Sequence, residues 1–354
     1  MGAILFFDPV CQQPYDTRTL RREAMGGTEA SLTRIADALD AYVMQHNRVD
    51  SWGRYLPVQP LPGVAHVVLN RDSRALPRIR ELFPGARVYL WLHDQLNPGS
   101  TRARRLASTA SALRELAVTA VCVSDSQRRG VEAALRGLGL ADAVRALTIY
   151  NPVDDALSPD GTPVDERKLV FFSSPNKGLR FTLDAFGALR RTMPDLRLFV
   201  GNPGYKAERS VQLPGVEFLG PLPQAHVHQE VRSALCTFFP NFVIPETFGL
   251  VFAESHALGT PVLTVDCGAA REVLGNPAEV LPLRNSYRLY EAAVGLLPAA
   301  LRSGPARLAA QAGLFDAFSA RVRAWREGAR PQPQPDARFQ LANVVPRWRA
   351  LFAS

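Results

Sequence analysis

The sequence predicts an α/β protein made of two doubly wound, Rossmann-like parallel-sheet domains. Short apolar runs alternate with longer stretches whose apolar residues recur at helical spacing. The alternation breaks once, at residues 151–166, and then restarts. The chain has 354 residues, enough for two domains at roughly 150 residues each.

The first half sets strands at Ile4–Phe7, Ala65–Leu69, Arg87–Leu92, Ala120–Val123 and Leu147–Tyr150. Each is a continuous apolar run, as expected of a strand covered on both faces. Helices are expected at Thr28–Gln45, Ser73–Phe83, Thr101–Leu116 and Gln127–Leu138. In the first of these, Leu32, Ile35, Ala36, Leu39 and Val43 recur at helical spacing. Residues 151–166 hold three Pro, one Gly and five acidic residues, and read as an inter-domain linker. The second domain, 167–329, sets strands at Lys168–Phe172, Leu196–Val200, Val216–Phe218, Cys236–Phe239, Val262–Val265 and Val280–Leu281. Its helices are Leu179–Arg191, Gln224–Ala234, Leu250–Leu258, Ser286–Leu297 and Ala306–Glu327. Residues 330–335 alternate Pro and polar residues as a short spacer, and Asp336–Phe352 reads as a last helix. Ligands of such sheets bind beyond the carboxyl ends of the strands, so the cleft between two sheets is the expected site.

Composition narrows the function classes. The 47% apolar and 21% charged content excludes a disordered or collagen-like chain. Cys11, Cys122, Cys236 and Cys267 lie far apart with no CxxC, so buried thiols are expected rather than zinc or disulfides. The apolar N-terminal run lacks a basic region and is too short for a signal peptide. No run approaches the ~18 apolar residues of a membrane span. The expectation is a cytoplasmic protein, soluble or peripheral on the inner face of the membrane. The net charge is +8, split as +2 over residues 1–160, zero over 161–296 and +6 over 297–354. That distribution does not make the basic stripe of a nucleic-acid binder. A solvated helix face, or contact with anionic lipid, accounts for Arg321, Arg323, Arg326, Arg330, Arg347 and Arg349; Arg102, Arg104 and Arg105 form a second such cluster.

The densest motif is Pro245-Glu246-Thr247-Phe248-Gly249-Leu250-Val-Phe-Ala-Glu254-Ser-His256-Ala-Leu-Gly259-Thr-Pro261-Val262, following a strand. Helix-start N–H groups near Gly249 suit a phosphate, and a carboxylate two turns in suits ribose hydroxyls. The string resembles the Glu-x7-Glu signature of the retaining glycosyltransferases of family 4, which have the GT-B architecture: two Rossmann-like domains facing across a cleft. The resemblance implies that Glu246 contacts the donor sugar and Glu254 the ribose. It implies backbone contacts to sugar and diphosphate from Thr247, Phe248, Gly249 and Leu250.

Three further segments agree with the resemblance. Gly26-Gly27-Thr28-Glu29 is similar to the family's N-terminal Gly-Gly loop near the donor phosphates. Trp91-Leu92-His93-Asp94 places His93 where the family often has a histidine facing sugar and phosphate. Ser173-Ser174-Pro175-Asn176-Lys177-Gly178 matches the family's Lys-Gly, with Lys177 implied to neutralise the diphosphate. The arginine that commonly precedes that lysine is absent, and Ser173 and Ser174 occupy its region; Arg128 is a candidate replacement. Glu246, His93 and Lys177 are the candidate catalytic residues. Gly26, Gly27, Ser173, Lys177, Thr247 to Leu250 and Glu254 are the candidate donor contacts. The Gly201-Asn202-Pro203-Gly204 turn is a weaker one.

The resemblance implies transfer of a sugar from a UDP- or GDP-linked donor to a glycan or lipid-linked acceptor, in bacterial cell-surface polysaccharide or lipopolysaccharide synthesis. No cofactor and no nucleic-acid partner is expected. No Asp-x-Asp occurs, and His226-Val-His228 falls on a helix, so no metal site is expected. A nucleotide-sugar epimerase on the same scaffold, and a catalytically silent nucleotide-sugar-binding partner, remain alternatives. In this architecture the last helix, after a Pro-rich spacer, returns to the first domain.

Overall fold

The computed structural model describes residues 2–97, 99–202, 213–241, 244–283 and 305–354. The helix expected at Ser286–Leu297 and the Pro203-Gly204 end of the turn lie outside them. The chain divides into unit 1, Met1–Asp155 with Ala337–Ser354, and unit 2, Ala156–Asp336.

Unit 1 holds strands β1 (Ala3–Asp8), β2 (Tyr42–Gln45), β3 (Tyr55–Pro57), β4 (Val64–Asn70), β5 (Arg87–Leu92), β6 (Thr119–Cys122) and β7 (Arg145–Thr148). They form one sheet of order β3-β2-β1-β4-β5-β6-β7, parallel at every pairing. The helices of its first part are α1 (Thr17–Arg22), α2 (Gly27–Ala38), α3 (Leu76–Leu82), α4 (Thr101–Ser108), α5 (Ala110–Glu115) and α6 (Asp125–Gly137).

Unit 2 repeats the plan. Its strands are β8 (Asp165–Phe172), β9 (Arg197–Gly201), β10 (Val216–Gly220), β11 (Ala234–Phe239), β12 (Val262–Val265) and β13 (Val280–Leu281). They run in order β10-β9-β8-β11-β12-β13, again all parallel. Its helices are α7 (Leu179–Thr192), α8 (Gln224–Arg232), α9 (Leu250–Ala257), α10 (Ala270–Leu274) and α11 (Pro305–Ala324). Both sheets reverse strand order once, between β1 and β4 and between β8 and β11. Beyond those points the loops splay apart and leave room for a ligand.

Several expectations are corrected. Thr28–Gln45 is not one helix. Asp40 takes φ 56°, a left-handed turn that ends α2, and residues 42–45 pair with β1. Val43 fitted the helical pattern only because a buried strand residue happens to fall on that spacing. Thr101–Leu116 breaks into α4 and α5 at Thr109, which has a non-helical φ of −108° and ψ of 15°. Asp165 and Glu166, expected in the linker, open β8. The short β3, α1 and α10 had no expected counterpart. The start of α1 was nonetheless marked in the sequence, since Asp16 and Thr19 form a reciprocal capping box.

The final helix α12 (Leu341–Ala353) belongs to unit 1. Its Trp348 lies fully buried, with ring centroids 5.8 Å from Phe6 and 5.0 Å from Trp91. A parallel bridge between Val153 and Gln340 ties its approach to the end of the first segment. The sequence signal was the apolar set Val344, Val345, Trp348 and Phe352, all buried on one face.

The C-terminal arginines are largely spoken for. Arg326 forks onto Asp195 at 3.1 and 2.6 Å. Arg330 donates to the carbonyls of Leu235 and Ala234, and Arg321 to that of Ala278. These are clips between α11, its exit and the sheet of unit 2, so the three do not form a free cationic surface. Arg102 and Arg105 likewise pair with Asp94 and Asp72.

Candidate functional site

Eight of the candidate residues gather on the loops that leave β8 and β11 and on the helix α9 that follows, on either side of the strand-order reversal in unit 2. Ser173 to Gly178 make the turn from β8 into α7, closed by the Lys177 N–H donating to the Ser174 carbonyl at 2.9 Å. From β11 the chain runs through Glu246 into α9. Lys177 and Glu246, 69 residues apart in sequence, meet there: Lys177 Nζ donates to Glu246 Oε2 at 2.8 Å. The Glu246 side chain is only 7% exposed against 37% for Lys177, so the ammonium caps a sunken carboxylate. Glu246 Oε1 is buried and accepts no hydrogen bond among the described residues. Such an oxygen costs roughly 1–3 kcal/mol until a donor reaches it, which suits a ligand hydroxyl.

The backbone of Glu246 is held by the loop after β12. Ala269 N–H donates to the Glu246 carbonyl at 2.9 Å. A Cβ on Gly268 would sit 2.3 Å from that same oxygen, so this close approach requires glycine.

Gly249 is the residue before α9 and is left-handed, with φ 85°. It offers no side-chain cap, and the first-turn N–H groups of a helix have no acceptor within it. The start of α9 is therefore suited to an anion. Phe248 is 1% exposed and packs inward, so only its backbone can meet a ligand; Thr247 and Leu250 are half-buried. Glu254 lies in the second turn of α9, half-buried, and accepts from Gln224 Nε2 at 2.9 Å. Gln224 opens α8 and was not foreseen. A lone Gln after a proline carries no sequence signal, and its partner is 30 residues away.

Gly26, Gly27 and His93 belong to unit 1. Gly26 caps α2 with φ −69°, an angle open to any residue, and Gly27 is the first residue of the helix. The Gly-Gly pair is thus not required by backbone angle. It adds no side chain of its own at the α2 N-terminus, where Gly26 is buried and Gly27 exposed. His93 follows β5 and lies against the Trp91 ring, centroids 4.5 Å apart. Burial, reinforced by the nearby Arg71 charge, pushes its pKa down from 6.5 to about 3, so the imidazole is neutral. Burial works to raise the Asp94 carboxyl, but Arg71 and Arg102 outweigh it and hold that pKa below the usual value. Arg71 itself sits at φ 66°, uncommon for a non-glycine residue, with Nε 3.3 Å from Asp94. Glu29, in the first turn of α2, is shifted upward by burial.

Arg128, the candidate replacement cation, lies in unit 1 and is engaged by Glu132 at 2.7 Å and Asp125 at 3.3 Å. It does not stand free to serve a diphosphate. His226 and His228 lie on α8 as expected, and no cluster of metal-binding side chains occurs among the described residues.

Comparison with known proteins places this arrangement. Residues 166–298 match the family of glycosyl transferases group 1. Over 188 residues the chain is 31% identical to a phosphatidyl-myo-inositol mannosyltransferase of Mycobacterium leprae, covering 50% of this chain and 49% of the relative. The protein of that name in Mycolicibacterium smegmatis is 31% identical over 191 residues, covering 50% and 47%. The chain thus spans about half the length of the curated relatives it matches. Among solved structures, Anabaena HepE with UDP-glucose superposes at TM-score 0.62 and 18% identity over 100% of both chains. Sucrose-phosphate synthase from Thermosynechococcus elongatus superposes at 0.62 and 16% identity over 99% of both. Residues 166–298 are therefore similar to the glycosyl transferases group 1, in a chain of two all-parallel Rossmann-like sheets whose structural neighbours are GT-B glycosyltransferases.

Proposed function

We propose that this chain is a retaining glycosyltransferase that moves a sugar from a UDP- or GDP-linked donor to a glycan or lipid-linked acceptor. The observation that carries the proposal is the set of groups around α9: an open helix N-terminus, Lys177 on Glu246, and Glu254 one turn further in. The spacing suits a nucleoside diphosphate sugar, with ribose at Glu254, diphosphate at the helix start and Lys177, and sugar at Glu246. That HepE was solved with UDP-glucose supports a donor of this class.

In this reading the bond from the anomeric carbon to the diphosphate oxygen breaks, and a bond to the acceptor oxygen forms on the same face. The acceptor proton leaves with the departing diphosphate. Charge building on that diphosphate is met by the Lys177 ammonium and the α9 amides, without a metal ion. On donor binding Lys177 turns from Glu246 to phosphate, and Glu246 takes sugar hydroxyls on both oxygens. Neutral His93 acts as a hydrogen-bonding guide to the sugar or diphosphate, with Gly26 and Gly27 leaving the α2 N-terminus open to the same groups. Retention rests on the resemblance of the Glu246-to-Glu254 string to retaining enzymes.

The acceptor class points to bacterial cell-surface polysaccharide or lipopolysaccharide assembly on the cytoplasmic side. Peripheral contact with anionic membrane would rest on the exposed Arg104, Arg347 and Arg349, since Arg102 and Arg105 pair with Asp94 and Asp72 and Arg321, Arg326 and Arg330 are engaged within unit 2. No helix among the described residues is long and apolar enough to cross a membrane.

The test is a panel of nucleotide sugars, followed by turnover and nucleotide affinity of Lys177→Ala and Glu254→Ala. Lys177→Ala should lose most turnover, and Glu254→Ala should weaken nucleotide binding. Two variants that match wild type in both measurements would overturn the assignment. Sugar conversion with donor alone would replace transfer by epimerisation.

A further inference from the structure

We infer that the buried His256–Glu279 pair is a positioning device for Glu254, fixing the rotation of α9 and with it the reach of Glu254 toward the nucleotide ribose. The inference rests on the reading of Glu254 given above.

Residues 252, 253, 255, 256 and 257 of α9 are all buried; Glu254 is the one polar side chain of its second turn turned outward. At about 100° per residue, His256 lies roughly 200° around the axis from Glu254, nearly opposite it. Whatever holds His256 therefore sets where Glu254 points. The holder is Glu279, which is 0% exposed just before β13. Its Oε1 accepts from His256 Nε2 at 2.8 Å and from the Val262 N–H, at the start of β12, at 2.7 Å. Its own backbone is part of the sheet edge: Thr264 N–H donates to its carbonyl at 2.9 Å, and its N–H donates to Asn276 at 3.1 Å. Glu279 is thus held through both its backbone and its carboxylate, and His256 is tied to the sheet through it. On a different face, Ser255 and Thr237 join their hydroxyls and tie α9 to β11. Two polar contacts at different angles fix a short helix against rolling, where apolar packing alone leaves it freer to adjust.

Energetics argue against a purely stabilising role. A buried carboxylate loses more on leaving water than an apolar pair of the same volume. Glu279 Oε2 makes no hydrogen bond among the described residues, so the pair is not optimised for stability. Its geometry is directional, which is what orientation of Glu254 needs and fold stability does not.

The experiment measures binding of UDP, GDP and inorganic pyrophosphate to wild type, Glu254→Ala, His256→Ala and the double variant of the full chain. Pyrophosphate probes the helix start and Lys177 without a ribose. His256→Ala should raise the Kd of the preferred nucleotide about tenfold, a 1.4 kcal/mol change, and leave pyrophosphate within about twofold. The double variant should bind the nucleotide no more weakly than Glu254→Ala alone, because both changes remove one interaction. Additive losses, or equal loss of pyrophosphate, would show a general structural role and overturn the inference. Nucleotide binding unchanged in His256→Ala while Glu254→Ala loses it would also overturn it. A wild type that binds neither nucleotide would sink the reading of Glu254 itself. If His256→Ala does not fold, Glu279→Gln carries the test. It keeps size and an acceptor oxygen but gives up the charge-assisted bond, for an expected loss of about threefold in nucleotide affinity and none for pyrophosphate.

Discussion

Replacing Gly249 by Ala should damage the fold of unit 2 and its anion site together, by an amount the structure lets one divide into two parts. The first is conformational. Gly249 has φ 85°, where an L-residue costs about 1–2 kcal/mol. The second is steric. An ideal Cβ would lie 2.5 Å from Phe252 Cδ2 and 2.8 Å from Cε2. Phe252 is 1% exposed and meets Phe239 edge-on at 5.3 Å, and Phe239 in turn stacks on Phe171 at 5.3 Å. The ring has nowhere to swing, so overpacking adds about 1–3 kcal/mol. The total is about 2–5 kcal/mol. Gly275→Ala is the internal control. Its φ is 67°, but a Cβ there meets nothing within 4 Å, so only the conformational part applies. Urea unfolding followed by circular dichroism would measure both, with pyrophosphate affinity measured alongside. If Gly249→Ala loses no more stability than Gly275→Ala, the packing argument at the start of α9 is wrong.

The remaining predictions concern single polar contacts. Lys177→Ala should destabilise unit 2 by about 1–2 kcal/mol, less than the 3–5 of a fully buried pair because the ammonium is partly exposed. Adding Glu246→Gln should recover that stability in denaturant titrations without restoring turnover. Gln224→Ala should raise the nucleotide Kd about three- to tenfold with pyrophosphate binding unchanged, as measured by calorimetry; an unchanged Kd would remove Gln224 from the site. For His93, the folded pKa of about 3 lies below the ordinary 6.5. Between those values the unfolded chain takes up a proton that the folded one refuses, so unit 1 loses stability as pH falls through that window. His93→Gln should flatten that part of the stability–pH curve, and an identical curve would contradict burial as the cause.

The strands were legible wherever a run of apolar residues was long enough to be covered on both faces, as at Arg87–Leu92 and Val262–Val265, where the expected and observed bounds coincide. Legibility failed at β2 and β3, which are short and pair only at one edge of the sheet. β2 takes its register from β1, and β3 takes its from β2, not from any local pattern. The Glu246-to-Val262 string was readable because its helix start, carboxylate spacing and following strand are all local. The ion pair of Lys177 with Glu246 was not, although both residues were singled out separately. Gln224 and Glu279 carried no signal, because each acts on a partner 17 to 30 residues away through a side-chain contact.

By itself the sequence determined the two-sheet α/β class, the break in its alternation near residue 155, and the strand, glycine and helix order of residues 236–262. These depend on periodicity and short-range spacing, which survive in one dimension. The tertiary structure alone decided that Arg321, Arg326 and Arg330 serve as clips rather than as part of a charged patch, that Arg128 is already engaged, and that His93 is neutral. Each of those properties depends on burial and on neighbours far apart in the chain, and a charge keeps the same letter in the sequence whether it faces water or a carboxylate.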